Sequence, residues 1–132
     1  MTLYKATSLL LLLPSLAFGA IGEVTDYSGS GAIERDDGFE ILEIKDELGV
    51  ESMDVVVTEK GKIRIDFIDD TRVDITEHSR LVIDDFVYDP ESGTGSLSLK
   101  AGLGTIRYAS GKIAKNSRQR VKITTPSAVV GV

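Results

Sequence analysis

Four carboxylates, Asp66, Asp69, Asp70 and Asp74, fall within one short stretch of this chain. Carboxylates at that density can hold a hard cation such as calcium, or supply the acid and base of a glycoside hydrolase. Neither chemistry has its spacing here. A calcium loop runs D-x-[DN]-x-[DN]-G, and no segment of the chain does. A hydrolase needs two acids at a set separation across a groove, which this order of residues does not specify. Asp66 and Asp74 alternate with apolar neighbours, as solvated strand residues do. A second acidic group, Asp84, Asp85, Asp89 and Glu91, is read in the same way. The expectation is no metal site and no catalytic carboxylate.

His78 is the sole histidine, in Thr76-Glu77-His78-Ser79. As a general base it would need a nucleophile and an orienting acid beside it. As a metal ligand it would need a second histidine or a cysteine for the soft zinc sites, and the chain has neither. A turn or capping role is expected instead. Gly102 and Gly104, in Ala101-Gly102-Leu103-Gly104, lack the strand–turn–helix context and the Lys-Ser/Thr of a phosphate loop. They are expected to permit a bulge or a tight bend. No cofactor is expected.

The elements that would position these residues are short and alternating. Ile63, Ile65 and Phe67 alternate with Arg64 and Asp66; Val73 and Ile75 with Arg72 and Asp74; Leu97 and Leu99 with Ser96 and Ser98. Leu81 and Ile83 continue the pattern, and Val121 and Ile123 form a late strand closed by Pro126. A period of two marks a strand with one buried face. Further strands are expected over 21–27, 32–34, 39–44, 55–57 and 106–108. Asp69-Asp70 and Asp89-Pro90-Glu91-Ser92-Gly93 read as reversals. No helical stripe follows residue 20, although 45–53 or 112–119 has room for one short helical turn. Many short strands between turns predict an all-β domain, a β-sandwich or jelly-roll-like fold, with a β-solenoid as the alternative. The scattered aromatics form no stacking platform, and most of them are expected in the core or on sheet faces.

Residues 1–20, MTLYKATSLLLLLPSLAFGA, join Lys5 to a leucine run and then to small residues at Ala17, Gly19 and Ala20. That is the pattern of a secretory leader, too short in its apolar run to span a bilayer. Cleavage is expected after Ala20, leaving residues 21–132 as one domain in the bacterial periplasm or outside the cell, with no membrane span. The absence of cysteine is compatible with that compartment, which permits disulfides without requiring them. The formal net charge is −6. All 21 acids and 7 bases lie in 21–91, and 92–132 holds 7 bases and no acid. An acidic domain disfavours nucleic acid. Lys112, Lys115, Arg118, Arg120 and Lys122 form a local basic run, but late strands are expected to pair with early ones so that opposite charges meet.

Several segments, in order, resemble the bacterial FecR domain. They are Gly31-Ala32-Ile33-Glu34-Arg35, then Ile65 to Val73, then Thr76-Glu77-His78-Ser79-Arg80-Leu81, then Leu97 to Tyr108, and finally Val121 to Val132 with its Thr125-Pro126-Ser127-Ala128. The family often has Asp-Gly-Thr where this chain has Asp69-Asp70-Thr71, and Asn where His78 stands. In relatives the pattern continues past the position of Val132 into Arg-Gly-Thr and further strands. The expectation is therefore a trimmed C-terminus with an open strand edge.

The resemblance implies a periplasmic domain that senses or transmits a signal. Its best-known members link an outer-membrane iron-siderophore receptor to a sigma factor, through a cytoplasmic segment and a membrane helix. Here a leader runs directly into the domain, which points to a stand-alone exported form. The expected function is a non-enzymatic binding or regulatory module whose partner is a protein or a cell-envelope component. The alternative is a structural protein that self-associates through strand edges into a homo-oligomer or filament.

Overall fold

Alternating side chains along the sequence become strands with one face inward, and the computed structural model describes them over residues 20–126 and along the backbone of 129–131. The expected leader, apart from Ala20, and the Ser127-Ala128 pair lie outside the described residues.

The strands are β1 (Gly22–Ser28), β2 (Gly31–Arg35), β3 (Glu40–Glu43), β4 (Gly49–Val50), β5 (Val55–Thr58), β6 (Lys62–Phe67), β7 (Arg72–Ile75), β8 (Arg80–Asp89), β9 (Thr94–Leu103), β10 (Ile106–Ala109), β11 (Val121–Thr124) and β12 (Val129–Gly131). One short helix, α1 (Lys112–Asn116), and a 3-10 turn at Arg118–Arg120 connect β10 to β11. The fold is all-β. The room for a helical turn near 112–119 is used; the stretch 45–53 instead holds a turn and the short β4.

Two sheets form. One has five strands in the order β10-β7-β6-β1-β4 and the other seven in the order β12-β11-β9-β8-β5-β2-β3. Every neighbouring pair is antiparallel except β9 with β11, which are parallel and joined by the crossover through β10 and α1. The inward residues of both sheets make one apolar cluster. Val24, Ile65 and Val73 come from the first sheet, and Ile33, Val56, Leu81, Ile83, Leu97 and Leu99 from the second. Phe67 and Phe86 stack within it, with ring centroids 5.3 Å apart.

Two bulges explain where the alternation changes phase. In β1 the register shifts between Val24 and Asp26, so Val24 faces inward while Asp26 stands opposite Arg64. In β8 it shifts between Ile83 and Asp85. The inward set therefore passes from Leu81 and Ile83 to Phe86.

Candidate functional site

The sequence-derived acidic cluster does not converge. Asp66 and Asp74 lie on the outer face of the five-stranded sheet, where the register sets Asp26, Arg64, Asp74 and Arg107 side by side across four strands. Arg64 Nε donates to Asp74 Oδ1 at 2.7 Å, and Arg72 Nε donates to Asp66 Oδ1 at 2.7 Å. Thr25 Oγ1 adds a hydrogen bond to Asp66 Oδ2 at 2.9 Å. These are ion-paired residues, not free solvated ones, because each faces an arginine directly across the ladder. The bond from Arg72 is the main reason that Asp66 stays below the usual carboxylate range, against the opposing effect of burial. The bond from Arg64 does the same for Asp74.

Asp69 and Asp70 part company inside one turn. Asp69 is fully buried. Its carboxylate accepts from the Thr71 amide at 3.0 Å, the Thr71 hydroxyl at 2.9 Å and the Ile113 amide at 3.2 Å, tying the β6–β7 turn to α1. Asp70 points outward at φ 71 and lies 3.4 Å from Lys112. Tyr108 reaches the same region. Its hydroxyl is buried without a hydrogen bond of good geometry, although Thr71 and Ser110 are close, and burial pushes its phenol up.

The remaining candidates take turn and ladder positions. His78 is exposed at φ 52, and its amide donates to the Glu59 carbonyl. Beside it Ser79 and Thr58 form a buried hydroxyl pair, with the Ser79 amide donating to Thr58 Oγ1 at 2.9 Å. Gly102 is the extra residue of a bulge between the Arg80–Leu103 and Leu81–Ala101 pairs. Gly104, at φ 80, turns the chain so tightly that a Cβ there would lie 2.1 Å from Ser79 Oγ. Asp84 is bound by Ser98 and Lys100, Asp85 by Ser96, and Asp89 closes its own turn onto Glu91 and Ser92. No three or more His, Asp or Glu side chains are grouped to hold a metal ion among the described residues.

The outer face of the seven-stranded sheet has a different character. Register aligns Ile41, Glu34, Val55, Val82, Lys100 and Thr124 across it. Glu34, Asp37, Gly38, Met53, Val55 and Arg80 line a shallow depression of about 240 Å³. Its apolar surroundings are open to solvent: Ile41 is 59% exposed, Met53 62%, Phe39 88% and Leu103 63%. Met53 also sits at φ 74, a conformation that a bulky side chain rarely adopts.

The rim is held by a pair that no local sequence signal reveals. Arg35 donates from Nε to Asp54 Oδ1 and from a terminal nitrogen to Oδ2, both at 2.9 Å. Arg35 also bonds the Gly49 carbonyl at 2.9 Å, and the Glu51 amide donates to Asp54 Oδ2 at 2.8 Å. The Asp54 side chain is 1% exposed and that of Arg35 20%. Hydrogen bonding to Asp54 is the main reason that the Arg35 guanidinium holds its proton more tightly than usual. This fork fixes the segment that carries Met53 against the end of β2.

Chemically, the molecule offers paired charge on one outer face and, on the other, an exposed apolar surface bordered by the Glu34–Arg80 and Asp84–Lys100 ion pairs. A family model described as FecR protein matches residues 54–132, from the Asp54 of this fork to the last residue of the sequence. No curated protein and no solved structure matches the chain.

Proposed function

We propose, because this chain belongs to the FecR family, that it is a non-enzymatic module which binds a protein partner outside the cytoplasm and serves a regulatory role. Family membership supports a binding or regulatory role in general terms. The leader-like residues 1–20 support work in the bacterial periplasm or beyond the cell, as a stand-alone exported form.

The observation that carries the binding reading is the contrast between the two outer faces. On the five-stranded sheet, Arg64–Asp74 and Arg72–Asp66 already satisfy one another. On the seven-stranded sheet, Ile41, Val55, Val57 and Val82 form an aliphatic surface flanked by Phe39, Met53 and Leu103. Exposed apolar surface edged by charge is characteristic of protein interfaces, and an unbranched methionine at the rim adapts to the shape opposite it. An aliphatic face with few exposed aromatics favours a protein over an envelope polysaccharide.

We read the two sheets around one apolar cluster as a sandwich. A solenoid stacks its strands in parallel, whereas β9–β11 alone pair that way here among the described residues. The test places a photo-crosslinking amino acid at Val57 or Val82, and separately at Arg64, in cells that make the protein. A discrete adduct is expected from the first two positions, lost on Ile41→Asp. Equal adducts from Arg64, or none from Val57 and Val82, would reject the assignment.

A further inference from the structure

The charge asymmetry of the sequence survives folding toward the two ends of the seven-stranded sheet, at β3 on one side and at β11, next to the terminal β12, on the other. At the β3 end, Asp36, Asp37, Glu40 and Glu43 are exposed and none forms an ion pair among the described residues. On the side of β3 away from β2, no described strand pairs with it. Ile41 in β3, and Phe39 in the turn just before it, stand out to solvent.

At the β11 end, Lys115, Arg118, Arg120 and Lys122 are exposed and likewise unpaired. Other late bases lie against acids: Lys100 meets Asp84, Lys112 meets Asp70, and Arg107 stands opposite Asp74 in the ladder. The four that remain have no acid in their own segment, which runs from α1 through the 3-10 turn into β11.

The distance between the two ends prevents them from neutralising each other. Five strand spacings separate β11 from β3 in the order β11-β9-β8-β5-β2-β3. At about 4.8 Å each this is about 24 Å, roughly three Debye lengths at physiological salt. Each end therefore presents its own field to solvent.

We propose that the occupant of the β3 edge is the α1–β11 end of a second copy of this chain, in a head-to-tail contact. Glu40 and Glu43 in β3, with Asp36 and Asp37 in the turn before it, oppose a symmetric pairing of two β3 edges, because that would set like charges against one another. They favour the basic end, which is the complementary surface on the same molecule. Unlike ends on one molecule give a heterologous contact, and repetition gives a string of copies, not a closed pair. Ile41 in β3 and Phe39 just before it supply short-range apolar contact once charge has aligned the two copies; β11 adds no strand of its own, because β9 and β12 flank it. This contact shares Phe39 and Ile41 with the sheet face assigned to the protein partner, but it is read by oligomeric state and charge reversal and not by crosslinking at Val57 and Val82, so either assignment can fail without the other.

The test is sedimentation velocity on the purified protein, expressed with its leader, across concentration and salt. Two charge-reversal variants accompany it, Glu40→Lys/Glu43→Lys and Lys115→Glu/Arg118→Glu/Arg120→Glu, each checked for native circular dichroism. The wild type should form a concentration-dependent series of species at low salt that dissolves at high salt. Each variant alone should lose association by about a hundredfold or more, and an equimolar mixture of the two should regain it. A wild type that stays monomeric at every salt and concentration overturns the proposal. So does a basic-end variant that associates as the wild type does, or a mixture that remains monomeric.

Discussion

Replacing Asp54 tests the claim that the rim of the apolar face rests on a buried ion pair. In Asp54→Ala the Arg35 guanidinium keeps its charge and its largely buried position but loses two hydrogen bonds at 2.9 Å. The Glu51 amide loses its acceptor as well. What remains for Arg35 is the Glu51 carboxylate at 3.1 Å and the Gly49 carbonyl. Removing one member of a buried pair typically costs about 3–5 kcal/mol, because the other is left uncompensated. With a urea slope near 2 kcal/mol/M for a domain of this size, the midpoint should fall by roughly 2 M. Replacing both partners with apolar residues, as in Arg35→Met/Asp54→Leu, should return stability to within about 1 kcal/mol of the wild type. Urea unfolding followed by circular dichroism, run as a double-mutant cycle, measures both effects. A midpoint shift in Asp54→Ala below about 0.3 M, or strict additivity in the cycle, would refute the reasoning.

Three further outcomes follow from the same geometry. Asp66 and Asp74 titrate below their ordinary range in the folded protein. Their stabilising effect is therefore complete above the unfolded value of about 3.9 and is lost as pH falls through the folded values; Asp66→Asn/Asp74→Asn should flatten the pH dependence of the urea midpoint below about pH 4. Asp70→Gly and His78→Asn should each raise stability by about 0.5 kcal/mol, since both residues hold left-handed backbone that glycine and asparagine adopt more readily, and a lower thermal midpoint in both would contradict this. Tyr108→Phe should be neutral or stabilising by about 1 kcal/mol, as it removes a buried hydroxyl without a well-formed hydrogen bond; a loss of more than about 1 kcal/mol would mean that the hydroxyl is satisfied.

Period-two segments made much of this fold legible in sequence. Ile63, Ile65, Phe67, Val73, Ile75, Leu81, Ile83, Leu97, Leu99, Val121 and Ile123 are all buried, because alternation reports directly on which face meets the core. The departures from the family pattern at Asp70 and His78 were legible as turns, and their positive φ values give the reason that glycine and asparagine are common there. Long-range polar burial was not legible. Arg35 and Asp54 lie 19 positions apart, and the Asp69 carboxylate reaches an amide 44 positions away. Nothing local distinguishes such residues from solvated ones. The apolar outer face was equally hidden, because Val55, Val56 and Val57 read as continuous β-branched bulk until register assigns Val56 inward and its neighbours outward. The phase change in β8 was present in the sequence as the step from Ile83 to Phe86, a signal that becomes meaningful only once the two belong to a single strand.

The two sheets are interleaved along the chain, and this bears on how the molecule can come to exist at all. The first strand lies inside the five-stranded sheet between β6 and β4, and the second lies inside the seven-stranded sheet between β5 and β3. One edge of the five-stranded sheet is taken by β10, late in the sequence. A piece starting at Asp54, where the family match begins, would lack Val24 and Ile33 from the core and a central strand from each sheet. Neither half of the polypeptide contains a complete sheet, so structure should arrive in one cooperative, comparatively slow step after the late strands are available. A chain threaded through a translocation pore from its amino end would remain pliable until nearly all of it had emerged.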